Sequence, residues 1–85
     1  MNLIYNSDQY SVVEFGADKA REALRFGGYE IVDKSVRREV FIGGISAESF
    51  RRDVEDLIAS GPSEEEIDNF LGQFDLMMSQ SVLLN

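Results

Sequence analysis

The chain of 85 residues contains no cysteine and no histidine, and these absences remove much of the side-chain chemistry on which enzymes rely. Without cysteine there is no disulfide bond, thiolate metal site or thiol nucleophile. Without histidine there is no histidine-based catalytic triad, cysteine–histidine pair or histidine metal centre. We therefore expect a non-enzymatic protein with no catalytic residue, metal ion or cofactor. The missing disulfides favour a reducing compartment such as the cytoplasm.

Long apolar stretches are also missing, since no apolar run exceeds three residues. A membrane-spanning helix needs about 20. The first six residues lack the basic region and the long apolar run that are typical of a signal peptide. We therefore expect no membrane association and a cytoplasmic location.

Basic side chains are scarce, and the resulting net charge of −8 is unevenly distributed. Residues 1–45 carry seven acidic and six basic side chains, a net charge of −1, whereas residues 46–85 carry nine acidic and two basic side chains, a net charge of −7. Phosphate backbones and anionic lipid surfaces repel such a chain at long range. We therefore expect no direct binding to nucleic acid.

What the chain does contain is enough apolar material, 44% of its residues, for one small core. Four segments rich in β-branched and aromatic residues are typical of strands, at residues 3–5, 10–15, 29–33 and 39–42. Asn, Ser, Asp and Gln residues at 6–9 predict a turn that makes the first two strands a hairpin. A chain this short leaves little room for a deep enclosed pocket.

Helical spacing of apolar residues follows the strands. Residues 18–26 predict a short helix with Asp18 as its N-cap. Ser46 is the predicted N-cap of a second helix, whose apolar residues recur at steps of three and four as far as Ile58. Ser63 and Glu66 form a capping box that begins a third helix.

These elements predict one α+β domain over residues 1–85, in the order β-β-α-β-β-α-α. A small antiparallel sheet should carry the helices on one face. The chain divides into a strand-rich region at about 1–45, an acidic helical hairpin at about 46–78 and a short apolar tail at 79–85. The tail ends in Val82, Leu83 and Leu84, which could add a strand to the sheet, pack on the core or pair with another chain.

The acidic side chains at the start of the last helix are the first candidate binding site. Glu64, Glu65 and Asp68 could bind a partner protein, and carboxylates are also ligands for hard cations. Their spacing does not match a calcium-binding loop, and the Ser-Glu-Glu-Glu sequence is already explained by helix capping. We therefore favour a solvated acidic face over a metal site.

Arg37 and Arg38 are the second candidate, because they form an adjacent basic pair outside the acidic half of the chain, with Lys34 nearby. A solvated loop is the simplest interpretation. The pair could instead bind an acidic partner or an anion, or contact the acidic hairpin of a second copy in a homodimer.

Several segments resemble a known family. They are Ile4-Tyr5-Asn6-Ser7, Val12-Val13-Glu14-Phe15, the stretch from Gly27 to Lys34, Phe41-Ile42-Gly43-Gly44 and Pro62-Ser63-Glu64-Glu65. Together they look like a family of short bacterial proteins classed as a domain of unknown function. The resemblance covers almost the whole chain and implies a bacterial, free-standing, cytoplasmic domain. It implies no catalytic residue, ligand or partner.

The sequence thus favours a protein-interaction or regulatory module that binds another protein, with a homodimer as one form. The alternative is an acidic mimic of nucleic acid that binds a basic partner protein, motivated by the charge of −7 in residues 46–85. A third reading, an enzyme or small-ligand binder that uses carboxylates, is the least favoured because histidine and cysteine are absent and the chain is short.

Overall fold

A computed structural model describes residues 1–17 and 27–80, apart from the side chain of residue 80. The helix predicted at residues 18–26 lies outside the described residues, as do Val82, Leu83 and Leu84 of the tail. Among the helices of the described ranges, none has the length and apolar character that a membrane crossing requires.

The sheet contains five antiparallel strands, and each strand after the first pairs with the one before it in the chain. The strands are β1 (Asn2–Asn6), β2 (Tyr10–Phe15), β3 (Gly28–Asp33), β4 (Arg38–Gly43) and β5 (Ser79–Gln80). The four strands predicted from the sequence are confirmed. β5 is formed by the first two residues of the predicted tail, and it lies against Arg38 and Glu39.

Side-chain alternation gives the sheet one buried face, as the register of the central strands shows. Val12 lies opposite Ile31, which lies opposite Val40 on the other side. Because side chains of directly paired residues point to the same face, these three form a row beneath the helices. Ile31 is completely buried, as expected at the centre of the middle strand.

The first described helix, α1 (Gly44–Ala59), begins directly after β4. The prediction that Ser46 caps this helix is wrong. Gly43 occupies the N-cap position, no side chain caps the helix, and Ser46 lies inside its first turn. Gly44 has a φ of +61°, a left-handed conformation that costs glycine little, and it lets the chain turn from strand to helix without a linker.

The second described helix, α2 (Glu64–Gly72), begins as predicted with a complete capping box. The Glu66 amide donates to Ser63 Oγ at 3.1 Å, and the Ser63 amide donates to Glu66 Oε1 at 3.3 Å. The helix ends at Gly72, before the end of the predicted helical hairpin at about residue 78, and a 3₁₀ turn at Asp75–Met77 leads into β5. Glycine is a poor helix former, which is consistent with an end at this position.

An aromatic cluster joins the described helices to the sheet. The ring of Phe50 in α1 lies 4.9 Å from that of Tyr29, 6.0 Å from that of Phe70 and 5.5 Å from that of Phe74, measured between centroids. Phe50 and Tyr29 are both buried. Such distances are typical of stabilising aromatic contacts. The predicted α+β class, with helices against one face of an antiparallel sheet, is confirmed.

Candidate functional site

Each of the three tyrosines in the chain donates a hydrogen bond to a carboxylate. The donor–acceptor pairs are Tyr5 with Asp68 at 2.9 Å, Tyr10 with Asp75 at 3.0 Å and Tyr29 with Glu14 at 3.0 Å. The first two pairs tie the sheet to the chain between residues 68 and 75, which follows the strongly acidic start of α2. Some acidic side chains of the C-terminal half therefore stabilise the fold.

Asp68 is the candidate binding residue that is most involved in these contacts. Its Oδ1 accepts a hydrogen bond from Tyr5, and its two carboxylate oxygens lie 2.9 and 3.1 Å from Ser7 Oγ. Burial, followed by the hydrogen bond to Asp68, raises the pKa of Tyr5. The carboxylate of Asp68 thus fixes α2 against the turn between β1 and β2.

Asp33 and Asp75 form a pair of neighbouring carboxylates that the sequence does not predict. Asp33 is buried, and its Oδ1 accepts from the Ser35 amide at 3.0 Å and from Ser35 Oγ at 2.6 Å. Burial, followed by the charge of Asp33, raises the pKa of Asp75, whereas the hydrogen bond from Tyr10 lowers it. Paired carboxylates can perform acid–base chemistry. Here each accepts hydrogen bonds from donors of its own chain.

The start of α2 and the turn between β1 and β2 enclose a shallow concavity. It is lined by Asp8, Gln9, Glu64, Glu65, Asp68 and Asn69. We call the carboxylates of Asp8, Glu64 and Glu65 the acidic surface, because these three residues are exposed whereas Asp68 is half-buried. Within residues 1–17 and 27–80, the acidic side chains form no group of three that could hold a metal ion.

The predicted basic pair lies in and beside the turn between β3 and β4. Arg37 and Arg38 are both exposed, and Arg37 has a φ of +55°. Lys34 in the same turn donates to Asn6 Oδ1 at 2.8 Å and also to the carbonyl oxygen of Ser7, and its amide donates to the Gln9 carbonyl at 2.7 Å. The basic turn therefore lies beside the turn that contributes to the acidic surface.

An apolar hollow of about 110 Å³ lies between β1, α1 and α2. Ile4, Leu57 and Ile58 line it together with core residues of both helices. Ile4 and Ile58 are exposed, so the hollow opens to solvent beside the outer strand of the sheet. The sequence does not indicate this feature, because the helical spacing of apolar residues predicts that Ile58 is buried.

Comparisons with known proteins agree with the resemblance seen in the sequence. Residues 1–85 match the family model described as Protein of unknown function (DUF3567). Protein BTH_I0359 of Burkholderia thailandensis is 52% identical over 85 residues, which are 100% of both chains. No solved structure matches the chain. Because the family model spans every residue and this relative is so similar throughout, the chain belongs to the DUF3567 family.

Proposed function

We propose that this chain is a non-enzymatic protein-interaction module of the cytoplasm, which binds a basic partner protein through its acidic surface. The observation that carries the proposal is the fixed position of Glu64 and Glu65. Asp68 anchors the first turns of α2 to β1 and to the following turn through Tyr5 and Ser7. The two glutamates therefore project from a backbone that is held in place before a partner arrives.

Two physical arguments support binding at this point. An already ordered surface loses little conformational entropy on association, which favours affinity. Neighbouring carboxylates also create a negative potential that speeds the approach of lysine and arginine side chains. Glu66 is engaged in the capping box, so Glu64 and Glu65 are the exposed carboxylates left in the first turn.

The non-enzymatic part of the proposal rests on the side chains that the protein has. No histidine or cysteine is present to act as a base, nucleophile or metal ligand. The pair of the buried Asp33 and the half-buried Asp75 is the arrangement closest to an acid–base site. Its hydrogen bonds to Ser35 and Tyr10 are explained by folding.

The alternative function, an acidic mimic of nucleic acid, is supported by a second set of exposed carboxylates. These are Glu48, Asp53, Glu55 and Asp56 on α1. A protein that imitated nucleic acid would bind its partner through many charges spread over both helices, rather than through the acidic surface alone. The two functions therefore differ in the carboxylates on which partner binding depends.

The experiment compares two double variants of the complete chain, each of which removes two negative charges. Glu64→Gln with Glu65→Gln alters the acidic surface, and Glu48→Gln with Glu55→Gln alters α1. Tagged wild-type protein is used to capture partners from bacterial extract, mass spectrometry identifies them, and affinities are then measured with the purified partner over a range of salt concentrations.

We expect a basic partner whose affinity falls by about tenfold or more with the first double variant and changes little with the second. The wild-type affinity should fall as salt rises, because screening weakens charge attraction. Equal losses for the two double variants would favour the nucleic-acid mimic. Binding that depends on neither pair and is insensitive to salt would overturn both functions.

A further inference from the structure

The outer edge of β1 is the feature from which a further interaction follows. Within residues 1–17 and 27–80, no strand pairs with the side of β1 that faces away from β2. Edge strands are commonly protected from pairing with other chains by charged residues, proline or β-bulges. The β1 sequence, Asn-Leu-Ile-Tyr-Asn, has no charged residue and no proline. Its one irregularity is a shift of register between Leu3 and Tyr5, and Asn6 lies beyond it.

Backbone hydrogen-bonding groups are directed outward along this edge. The Ser7 amide, one residue after β1, donates to the Tyr10 carbonyl at 2.8 Å, so Ser7 and Tyr10 continue the β1–β2 pairing as a hydrogen-bonded pair. Hydrogen-bonded and non-hydrogen-bonded pairs alternate in antiparallel strands. Asn6, which lies opposite Ser11, therefore directs its amide and carbonyl away from β2. An incoming strand could bond to these groups.

Apolar side chains surround the edge on both faces of the sheet. Leu3, 61% exposed, lies opposite Val13 on the face away from the helices. Ile4 and Ile58, 44% and 61% exposed, line the apolar hollow on the helix side. A chain that paired with β1 would cover apolar surface as well as backbone groups, and burial of apolar surface favours association.

We propose that two copies of this chain associate by antiparallel pairing of their β1 strands, which forms one continuous sheet across both copies. Such a pair has a two-fold axis perpendicular to the sheet, so the helices of both copies lie on the same side. The apolar hollows then adjoin, and Ile4 and Ile58 of each copy are covered at the interface.

The distribution of charge favours a second copy as the occupant of this edge. Two molecules with a net charge of −8 repel each other, and repulsion is least where the contacting surfaces are uncharged. β2, β3 and β4 each contain a charged residue, whereas β1 contains none. A strongly basic partner would find no opposite charge on the β1 edge and would instead be attracted to the acidic surface.

Salt separates this inference from the proposed function. Screening reduces repulsion between two acidic copies, so pairing through β1 should strengthen as salt rises. Binding of a basic partner to the acidic surface should weaken instead. The variant with Glu64→Gln and Glu65→Gln should still pair through β1. Pairing through β1 and binding of a basic partner can therefore be disproved independently of each other.

The experiment is sedimentation equilibrium of the complete chain over a range of protein and salt concentrations. Leu3→Lys places a charge on the proposed interface, and Leu76→Lys is its matched control. Leu76 is 99% exposed and lies in the 3₁₀ turn, so both variants replace an exposed leucine by lysine. The net charge changes equally in the two variants.

We expect wild-type protein and Leu76→Lys to approach twice the chain mass with similar dissociation constants. Leu3→Lys should raise the dissociation constant by about tenfold or more, because a charge on an edge strand opposes pairing. Circular dichroism shows whether Leu3→Lys is folded. A wild-type protein that stays monomeric at all concentrations would overturn the proposal, as would equal dissociation constants for the two variants.

A measurement on wild-type protein needs no variant. Hydrogen exchange of the Asn6 amide should slow as protein concentration rises, because pairing gives this amide a carbonyl acceptor on the other copy. Exchange at Asn6 that is independent of concentration while the chain is dimeric would place the interface elsewhere and overturn pairing through β1.

Discussion

The phenolic oxygen of Tyr5 lies 2.9 Å from Oδ1 of Asp68, a residue 63 positions later in the chain. This bond joins the outer strand of the sheet to the beginning of α2. Ser7 donates to the same carboxylate, so one acidic side chain accepts from two donors on the sheet side. It follows that the acidic side chains of the C-terminal half are of two kinds. Some stabilise the fold through hydrogen bonds, and others are exposed to solvent.

The structural task of Asp68 can be tested by replacing it with alanine. Asp68→Ala removes the carboxylate that accepts the shortest hydrogen bonds of the Tyr5 and Ser7 hydroxyls, and we expect it to lower the free energy of unfolding by about 1–3 kcal/mol. Asp53→Ala is the control, because Asp53 is an exposed aspartate within α1 and its loss should change stability by about 0.5 kcal/mol or less. Urea denaturation measures both, and equal effects would contradict the assignment.

The start of α2 provides a second test through two serines. Ser63→Ala removes the side-chain oxygen that accepts from the Glu66 amide, and we expect a loss of about 1 kcal/mol. Ser46→Ala changes a serine that the sequence also predicts to be a cap, but which lies inside α1. We expect this variant to be neutral or slightly stabilising, because alanine is the better helix former. Thermal unfolding of both variants gives the comparison.

Glu30 should make the stability of the fold depend on pH. Burial, followed by the charge of Glu39, raises the pKa of Glu30. The folded state therefore binds the proton more tightly than the unfolded state, and the stability associated with the protonated form is lost as pH rises through the raised pKa. Glu30→Gln should raise the melting temperature at about pH 7 but not at about pH 3.5, below the usual glutamate pKa.

The exposed Glu48 gives the control for this effect. Glu48→Gln should change the melting temperature by a similar, small amount at both pH values, since the side chain is exposed on α1. A lower melting temperature for Glu30→Gln at neutral pH would show that the charged form of Glu30 stabilises the fold, contrary to this prediction.

Gly28 is expected to tolerate no side chain. A Cβ atom at this position would lie 2.5 Å from the Phe41 ring and 2.8 Å from the Ile42 carbonyl oxygen, which belongs to the paired strand. We expect Gly28→Ala to lower the free energy of unfolding by about 1–3 kcal/mol through overpacking. Gly16→Ala is the control, because a Cβ atom there would meet nothing within 4 Å. Denaturant unfolding of both variants tests the difference.

The sequence predicts the strands and the start of α2 because these depend on local patterns. β-branched and aromatic residues mark each strand, and the capping box requires only Ser63 and Glu66, three residues apart. Ser46 also fits a local pattern for a cap. There the direct passage from β4 into α1 places the N-cap at Gly43, three residues earlier than Ser46.

The candidate site depends on contacts that no local pattern encodes. Tyr5 and Asp68, like Tyr10 and Asp75, come together only because the helices pack across the sheet. The composition predicts an acidic C-terminal half, but it does not distinguish an aspartate bonded to the sheet from an exposed glutamate beside it. The uncharged outer edge of β1 is visible in the sequence only once β1 is known to be the outer strand.

The order of the strands has a consequence for how the protein is made. β2, β3 and β4 each pair with the strand before them, so a chain synthesised from its N-terminus can extend the sheet strand by strand. These neighbouring pairings involve short chain separations and favour rapid folding. Tyr5 and Tyr10, however, receive their acceptors only when Asp68 and Asp75 have been synthesised. During translation, the apolar face of the newly formed sheet is therefore not fully covered until the last fifth of the chain has been synthesised.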